Sequence, residues 1–171
     1  GDEALVPVPT YPLYTAVLAK IEAVGKGYRT DPDRGWLPDL EDIRDKVGPR
    51  TRAIFVCNPN NPTGALYPEP ILRDLLEVAR AHRLVVLADE IYDQTLYDGH
   101  VHTSVASLAD DVLVLTFNGL SKNYRACGFR AGWMIVSGDR DDARDYVEGL
   151  TMLASLRLCS NTPGQIAIQA A

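Results

Sequence analysis

The chain has 171 residues, 23 acidic and 17 basic, giving a net charge of −6 at pH 7, with the two signs mixed along its length and no basic block. This balance argues against a nucleic-acid or anionic-membrane surface and leaves small molecules or other proteins as partners. With 46% apolar residues, a chain of this size suits one domain and can bury a sizeable core.

Residues 4–8 (ALVPV) read as a short strand, and 13–24 as a helix with Leu13, Val17, Leu18, Ile21 and Val24 at helical spacing. Residues 38–47 open on a proline suited to a helix's first turn and end before Gly48, after which the apolar run 53–57 (AIFVC) has strand length. The spacing predicts an amphipathic helix over 68–82, packed through Ile71, Leu72, Leu75, Leu76, Val78 and Ala79, leading into a strand at 84–88. Strands at 112–117 and 129–136 precede a helix from near Asp139, whose Asp-Arg-Asp-Asp run suits an N-terminus. Residues 163–171 again read as helix. Strands without polar alternation, separated by helices, predict an α/β fold: a mostly parallel, mixed sheet with helices on both faces.

Cys57, Cys127 and Cys159 are odd in number, far apart and never in a CxxC pair. Neither a disulfide framework nor a structural zinc site is expected, and a reducing cytoplasm fits best. His100 and His102 form an HxH that could clasp a metal, but no cysteine lies near it and no metal site is expected there. No apolar stretch approaches the eighteen or so residues of a membrane span. The chain enters a strand directly at Gly1 and stops within a helical pattern, so it is expected to be an internal piece of a longer polypeptide.

In an open α/β sheet the ligand site lies beyond the carboxyl ends of the strands. Three strands run out there into polar, turn-forming sequence: NPNNPTG at 58–64, DEIY at 89–92 and NGLSK at 118–122. Two prolines fix φ in the first of these and its glycine permits a left-handed turn, so the loop is expected to be rigid with an amide aimed outward. A lysine at the mouth of a core strand must be solvated, paired or neutralised, which singles out Lys122. Because successive strand side chains face opposite ways, only one of Asp89 and Glu90 can meet a ligand, and Glu90 is expected to be structural.

NPNNPTG, ADEIY at 88–92 and SKNYRACGFRAG at 121–132 together resemble the fold-type I, pyridoxal 5'-phosphate-dependent aminotransferases of class I and II, over nearly the whole chain. Within that family GDEALVPVPTYPLYTAV and TFNGLSKNYRACGFRAGWM are most similar to bacterial alanine aminotransferases, some of which carry an aspartate aminotransferase label. The resemblance implies that residues 1–171 are part of the large cofactor-binding domain, with an N-terminal arm and a C-terminal small domain outside the chain. It also implies a homodimer that takes amino acids and 2-oxo acids.

By the same resemblance Lys122 forms an imine with the cofactor's aldehyde and then moves a proton at the substrate's α-carbon. Asp89 keeps the pyridine nitrogen protonated. Tyr92 and Asn61 donate to the phenolic oxygen, Asn61 also meeting the substrate, while Tyr11 stacks on the ring with Tyr14 as its competitor. Arg130 and Ser121 bind the phosphate. Relatives with a serine three positions before the lysine differ here, where Gly119 stands. A partly desolvated Lys122 beside Arg130 is expected, since that would favour a neutral amine. Glutamate with pyruvate, or with oxaloacetate, is the expected substrate pair, and the 171 residues alone are expected to be inactive. A carbon–sulfur lyase of the same fold and a non-enzymatic cofactor-sensing domain of a regulator are the alternatives.

Overall fold

A computed structural model describes residues 1–171, in which the apolar runs become the middle of one sheet. Its strands are β1 (Glu3–Val8), β2 (Val24–Asp31), β3 (Leu37–Pro38), β4 (Thr51–Cys57), β5 (Val85–Asp89), β6 (Val114–Gly119) and β7 (Gly132–Ser137). They lie in the order β3-β2-β1-β4-β5-β6-β7. The five strands from β2 to β6 run parallel, while β3 and β7 are antiparallel edges. The helices are α1 (Leu13–Lys20), α2 (Leu40–Lys46), α3 (Glu69–His82), α4 (Arg144–Ser155) and α5 (Thr162–Ala170).

Alternation along the strands divides the core between two faces. Leu5, Ile54, Val56, Val86 and Val114 join Leu72, Leu75, Leu76 and Ala79 of α3, and Ile43 of α2, in one cluster of 17 buried residues. On the other face Ala4, Val6 and Cys57 pack with Tyr14 and Leu18 of α1 in a cluster of five. That second face is thinly covered, and α4 contributes no buried residue, leaving Met152, Leu153 and Leu156 exposed.

Several boundaries differ from those predicted. Residues 24–31 form β2, which the apolar pattern did not indicate, because only Tyr28 and Thr30 of it are buried while its other positions face water or carry charge. Helix α1 therefore stops at Lys20, with Ala23 donating its N–H to the Leu18 carbonyl at 2.9 Å to turn the chain. Helix α4 starts at Arg144, because the Asp139 carboxylate accepts the N–H groups of Asp141 and Asp142 in a turn ahead of it. Strand β7 starts at Gly132, after a 3-10 turn over Cys127–Phe129. No helix is long and apolar enough to cross a membrane.

At the amino ends of the parallel strands a charge cluster joins three of them. Glu3 of β1, 6% exposed, accepts from Lys26 of β2 at 3.0 Å and from Arg50, just before β4, at 2.9 Å. The Lys26 hydrogen bond holds the Glu3 carboxyl below its usual 4.5 despite the opposing effect of burial, with Arg50 adding to the shift. A carboxyl whose pKa is lowered by folding stabilises fully above its unfolded pKa and loses that contribution as pH falls through the folded value. Glu3→Gln is therefore expected to lower Tm at neutral pH, with a deficit against wild type that shrinks as the pH of a melting series drops below 4.5.

Candidate active site

Register brings the carboxyl ends of the central strands level. Cys57 pairs with Asp89 across β4 and β5, and Asp89 with Phe117 across β5 and β6. Beyond them opens a cavity of about 220 Å³ whose wall includes Tyr11, Asn61, Asp89, Tyr92, Ser121 and Lys122. Tyr14, Cys57, Ile91, Phe117 and Asn118 complete the lining. Six of the seven residues singled out from sequence thus surround one space. Arg130 is not among them.

Each polar group reaches the cavity for a local reason. In the 58–64 loop Asn58 and Asn60 are buried and spend their side chains on the fold: Asn58 accepts the Tyr67 N–H at 2.8 Å, and Asn60 donates to the Tyr67 hydroxyl at 3.3 Å while accepting from Thr63. Asn61 is the one left at the cavity. At the end of β5, Asp89 faces the cavity, whereas Glu90 points the other way and is 3% exposed. There Glu90 accepts the Val105 N–H at 2.9 Å and the Ser104 hydroxyl at 3.1 Å. Burial raises the Glu90 carboxyl above its ordinary pKa, against these hydrogen bonds and the nearby His102. His102 Nε2 lies 4.0 Å from Glu90, an acidic neighbour that sequence distance concealed.

Tyr14 has a role that sequence reasoning did not assign. Its ring stacks on Phe55 with centroids 4.9 Å apart, and its hydroxyl donates a hydrogen bond to the Asp89 carboxylate. The second Asp89 oxygen accepts the Ile91 N–H at 3.2 Å. Burial holds the Tyr14 phenol far above its ordinary pKa, with the charges of Cys57 and Asp89 adding to the effect, so it remains a donor at any working pH. Burial likewise raises the Cys57 thiol, with Asp89 next in effect, and keeps it neutral. Tyr11 meets Tyr14 edge-on at 6.0 Å and is 45% exposed at the cavity, so its ring is the accessible one. The sequence marks Tyr14 only as a rival to Tyr11 near the helix start, and nothing in it points to Asp89, 75 positions away.

Lys122 stands at the rim, its Nζ 5.8 Å from the centroid of the Tyr92 ring, within range of a cation–π contact. It is exposed, so the partial desolvation expected for it is not found. Arg130 is also exposed and turns its Nη1 to the Cys127 carbonyl at 2.7 Å, because the 3-10 turn over Cys127–Phe129 presents that oxygen. Gly119 has a steric cause. It pairs with Gly132 of β7, and a Cβ placed on it would lie 2.9 Å from the Ala131 carbonyl oxygen and 3.0 Å from the Gly132 Cα.

The donor set suits a planar heteroaromatic aldehyde whose basic ring nitrogen carries a proton. It offers an oriented carboxylate, a phenol and an amide in the same wall, an amine at the rim and an accessible aromatic ring. A free hydroxyl at Ser121 could meet a phosphate.

A family model described as aminotransferase class I and II matches residues 1–171. Over 171 residues the chain is 54% identical to the glutamate-pyruvate aminotransferase AlaA of Escherichia coli strain K12, covering all of this chain and 42% of that protein. It is 50% identical over the same length to alanine aminotransferase of Mycobacterium tuberculosis strain H37Rv, covering 40% of it. Among solved structures, an aminotransferase from Escherichia coli matches with a TM-score of 0.98 at 54% identity, over 100% of this chain and 42% of that one. Alanine aminotransferase from Pyrococcus furiosus matches with a TM-score of 0.94 at 46% identity, over 98% and 42%. The chain therefore spans about two fifths of the length of these relatives.

Two substitutions probe this geometry. Tyr14→Phe keeps the stack on Phe55 but removes the donor to Asp89, and is expected to cost about 1.5–3 kcal/mol in urea unfolding, the range for a hydrogen bond to a charged group. Gly119→Ser forces β7 away from β6 and is expected to cost about 1–3 kcal/mol by the same measurement, as overpacking does elsewhere.

Proposed function

Because the chain belongs to the aminotransferase class I and II family, we propose that it is the cofactor-holding part of an aminotransferase acting between glutamate and a small 2-oxo acid, pyruvate first and oxaloacetate second. The observation that carries this reading is the level register of Cys57, Asp89 and Phe117, which gathers Asn61, Asp89, Tyr92 and Lys122 round one cavity. The names of the relatives favour amino transfer over carbon–sulfur cleavage and over a sensing role.

Bound in the cavity, pyridoxal 5'-phosphate would supply an aldehyde that condenses with amines and a ring that withdraws electrons from the substrate's α-carbon. Lys122 would hold the aldehyde carbon and, once released as a neutral amine, would carry the proton from the substrate's α-carbon to that former aldehyde carbon. Asp89, its carboxylate oriented by the Tyr14 hydroxyl and the Ile91 N–H, would hold the proton on the ring nitrogen. Tyr92 and Asn61 would donate to the phenolic oxygen, and the exposed Tyr11 ring would cover one face. Ser121 would donate to the phosphate. Arg130 would grip it by exchanging the Cys127 carbonyl for phosphate oxygens.

The proposal extends to a homodimer working in the cytoplasm in alanine formation. Support for a dimer comes from the exposed apolar residues Leu13 and Val17 of α1 with Ile21 just after it, and Met152 and Leu153 of α4 with Leu156 just after it, which need a covering surface. The three free cysteines suit a reducing compartment.

The test uses the full-length protein with glutamate and pyruvate, following alanine and 2-oxoglutarate. Wild type is expected to form both, and Lys122→Ala to do so at least about a hundredfold more slowly, as removal of a general acid–base group does. No transfer from glutamate to either oxo acid, or an undiminished rate in Lys122→Ala, would overturn the reading.

A further inference from the structure

The turn that carries Lys122 is tied to the turn that carries Tyr92 through one amide. Asn123 Nδ2 donates to the Asp93 carboxylate, and Asn123 Oδ1 accepts from Thr95 Oγ1 at 3.0 Å. Beside them Gln94 Nε2 donates to the Tyr124 hydroxyl at 3.2 Å. The Tyr92 turn has its own anchor, since buried Glu90 fastens its base and the Asp93 and Thr95 N–H groups donate to the Glu90 and Tyr92 carbonyls at 3.0 and 2.8 Å. The lysine turn is fixed at its base, where Leu120 donates to Ala131 at 3.1 Å and Ala126 to Leu120 at 3.0 Å, but Lys122 itself is exposed.

We infer that Asn123 is a positioning residue, clamping the lysine turn to the Tyr92 turn and so setting where the Lys122 amine stands over the cavity. The inference rests on the proposed binding of a pyridoxal cofactor at Lys122. An amide fits because its two partners have opposite needs, a carboxylate that accepts and a hydroxyl that donates. Aspartate has the same shape, but it would lose the donor and set a second negative charge against Asp93.

The experiment compares two ligands on the full-length protein. Condensation of the Lys122 amine with the aldehyde of pyridoxal phosphate forms a C=N bond and releases water. Pyridoxamine phosphate has no aldehyde and cannot report the lysine's position. Asn123→Asp is expected to weaken pyridoxal phosphate binding by about tenfold, the equivalent of one charge-assisted hydrogen bond, with pyridoxamine phosphate binding unchanged. Combining it with Asp93→Asn, which again sets a donor against a carboxylate, is expected to restore affinity. Thr95→Val removes one hydrogen bond without adding charge and should give a smaller loss with the same ligand selectivity, which keeps the test available should Asn123→Asp fail to fold. Equal losses for both ligands, or no loss for either, would overturn the inference. If wild type forms no imine absorbance band with pyridoxal phosphate, the functional reading fails instead.

Discussion

Parallel pairing of β4, β5 and β6 in one register is the constraint on which the site depends. Side chains alternate along a strand, so a slip of one residue would exchange the faces of Asp89 and Glu90. Asp89 would then meet Ser104 and Val105, and Glu90 would enter the cavity. The register is held by residues remote from any chemistry: Ile54, Val56, Val86, Ala88 and Val114, all buried in the larger cluster under α3. Packing on one face of the sheet therefore decides which acid appears beyond its edge.

The two adjacent carboxyls are handled differently. Glu90 has its charge opposed by burial and is satisfied by a backbone N–H and a hydroxyl, which ties the 104–105 segment to the end of β5. Asp89 is served by a phenol and a backbone N–H and remains open to the cavity. Its two ionisable neighbours, Tyr14 and Cys57, are kept protonated by burial. The negative charge on this part of the wall is thus confined to one carboxylate, in a cavity that the Lys122 amine also lines.

Sequence reading was most successful where apolar periodicity is strong. The runs at 53–57 and 84–88 and the helix at 68–82 lie within a residue or two of β4, β5 and α3. It missed β2, whose glycines and charged residues suit a strand near the sheet's edge, and it overran α1 because Ile21 and Val24 continue a helical spacing past the turn. For the site, motif order located Asn61, Asp89, Tyr92, Ser121, Lys122 and Tyr11 at one cavity. The tie between Tyr14 and Asp89 spans 75 positions and the clamp at Asn123 spans about 30. Such polar contacts carry no periodic signature. Lysine exposure was equally illegible, because it depends on which walls stand around the rim.

The two turns that meet at Tyr92 and Lys122 are secured with unequal strength. Glu90 is buried, so removing its partners would leave a desolvated carboxylate, which is costly. The bonds of Asn123 lie at the surface or only partly buried, so the clamp they form is weaker than the buried ties of Glu90. Motion at this edge should therefore concentrate in the lysine turn while the acid and the tyrosine stay fixed. In the proposed chemistry the same asymmetry is useful. The amine must hold the aldehyde carbon at one stage and stand free as a base at another, whereas the groups that tune the ring must not move between those stages.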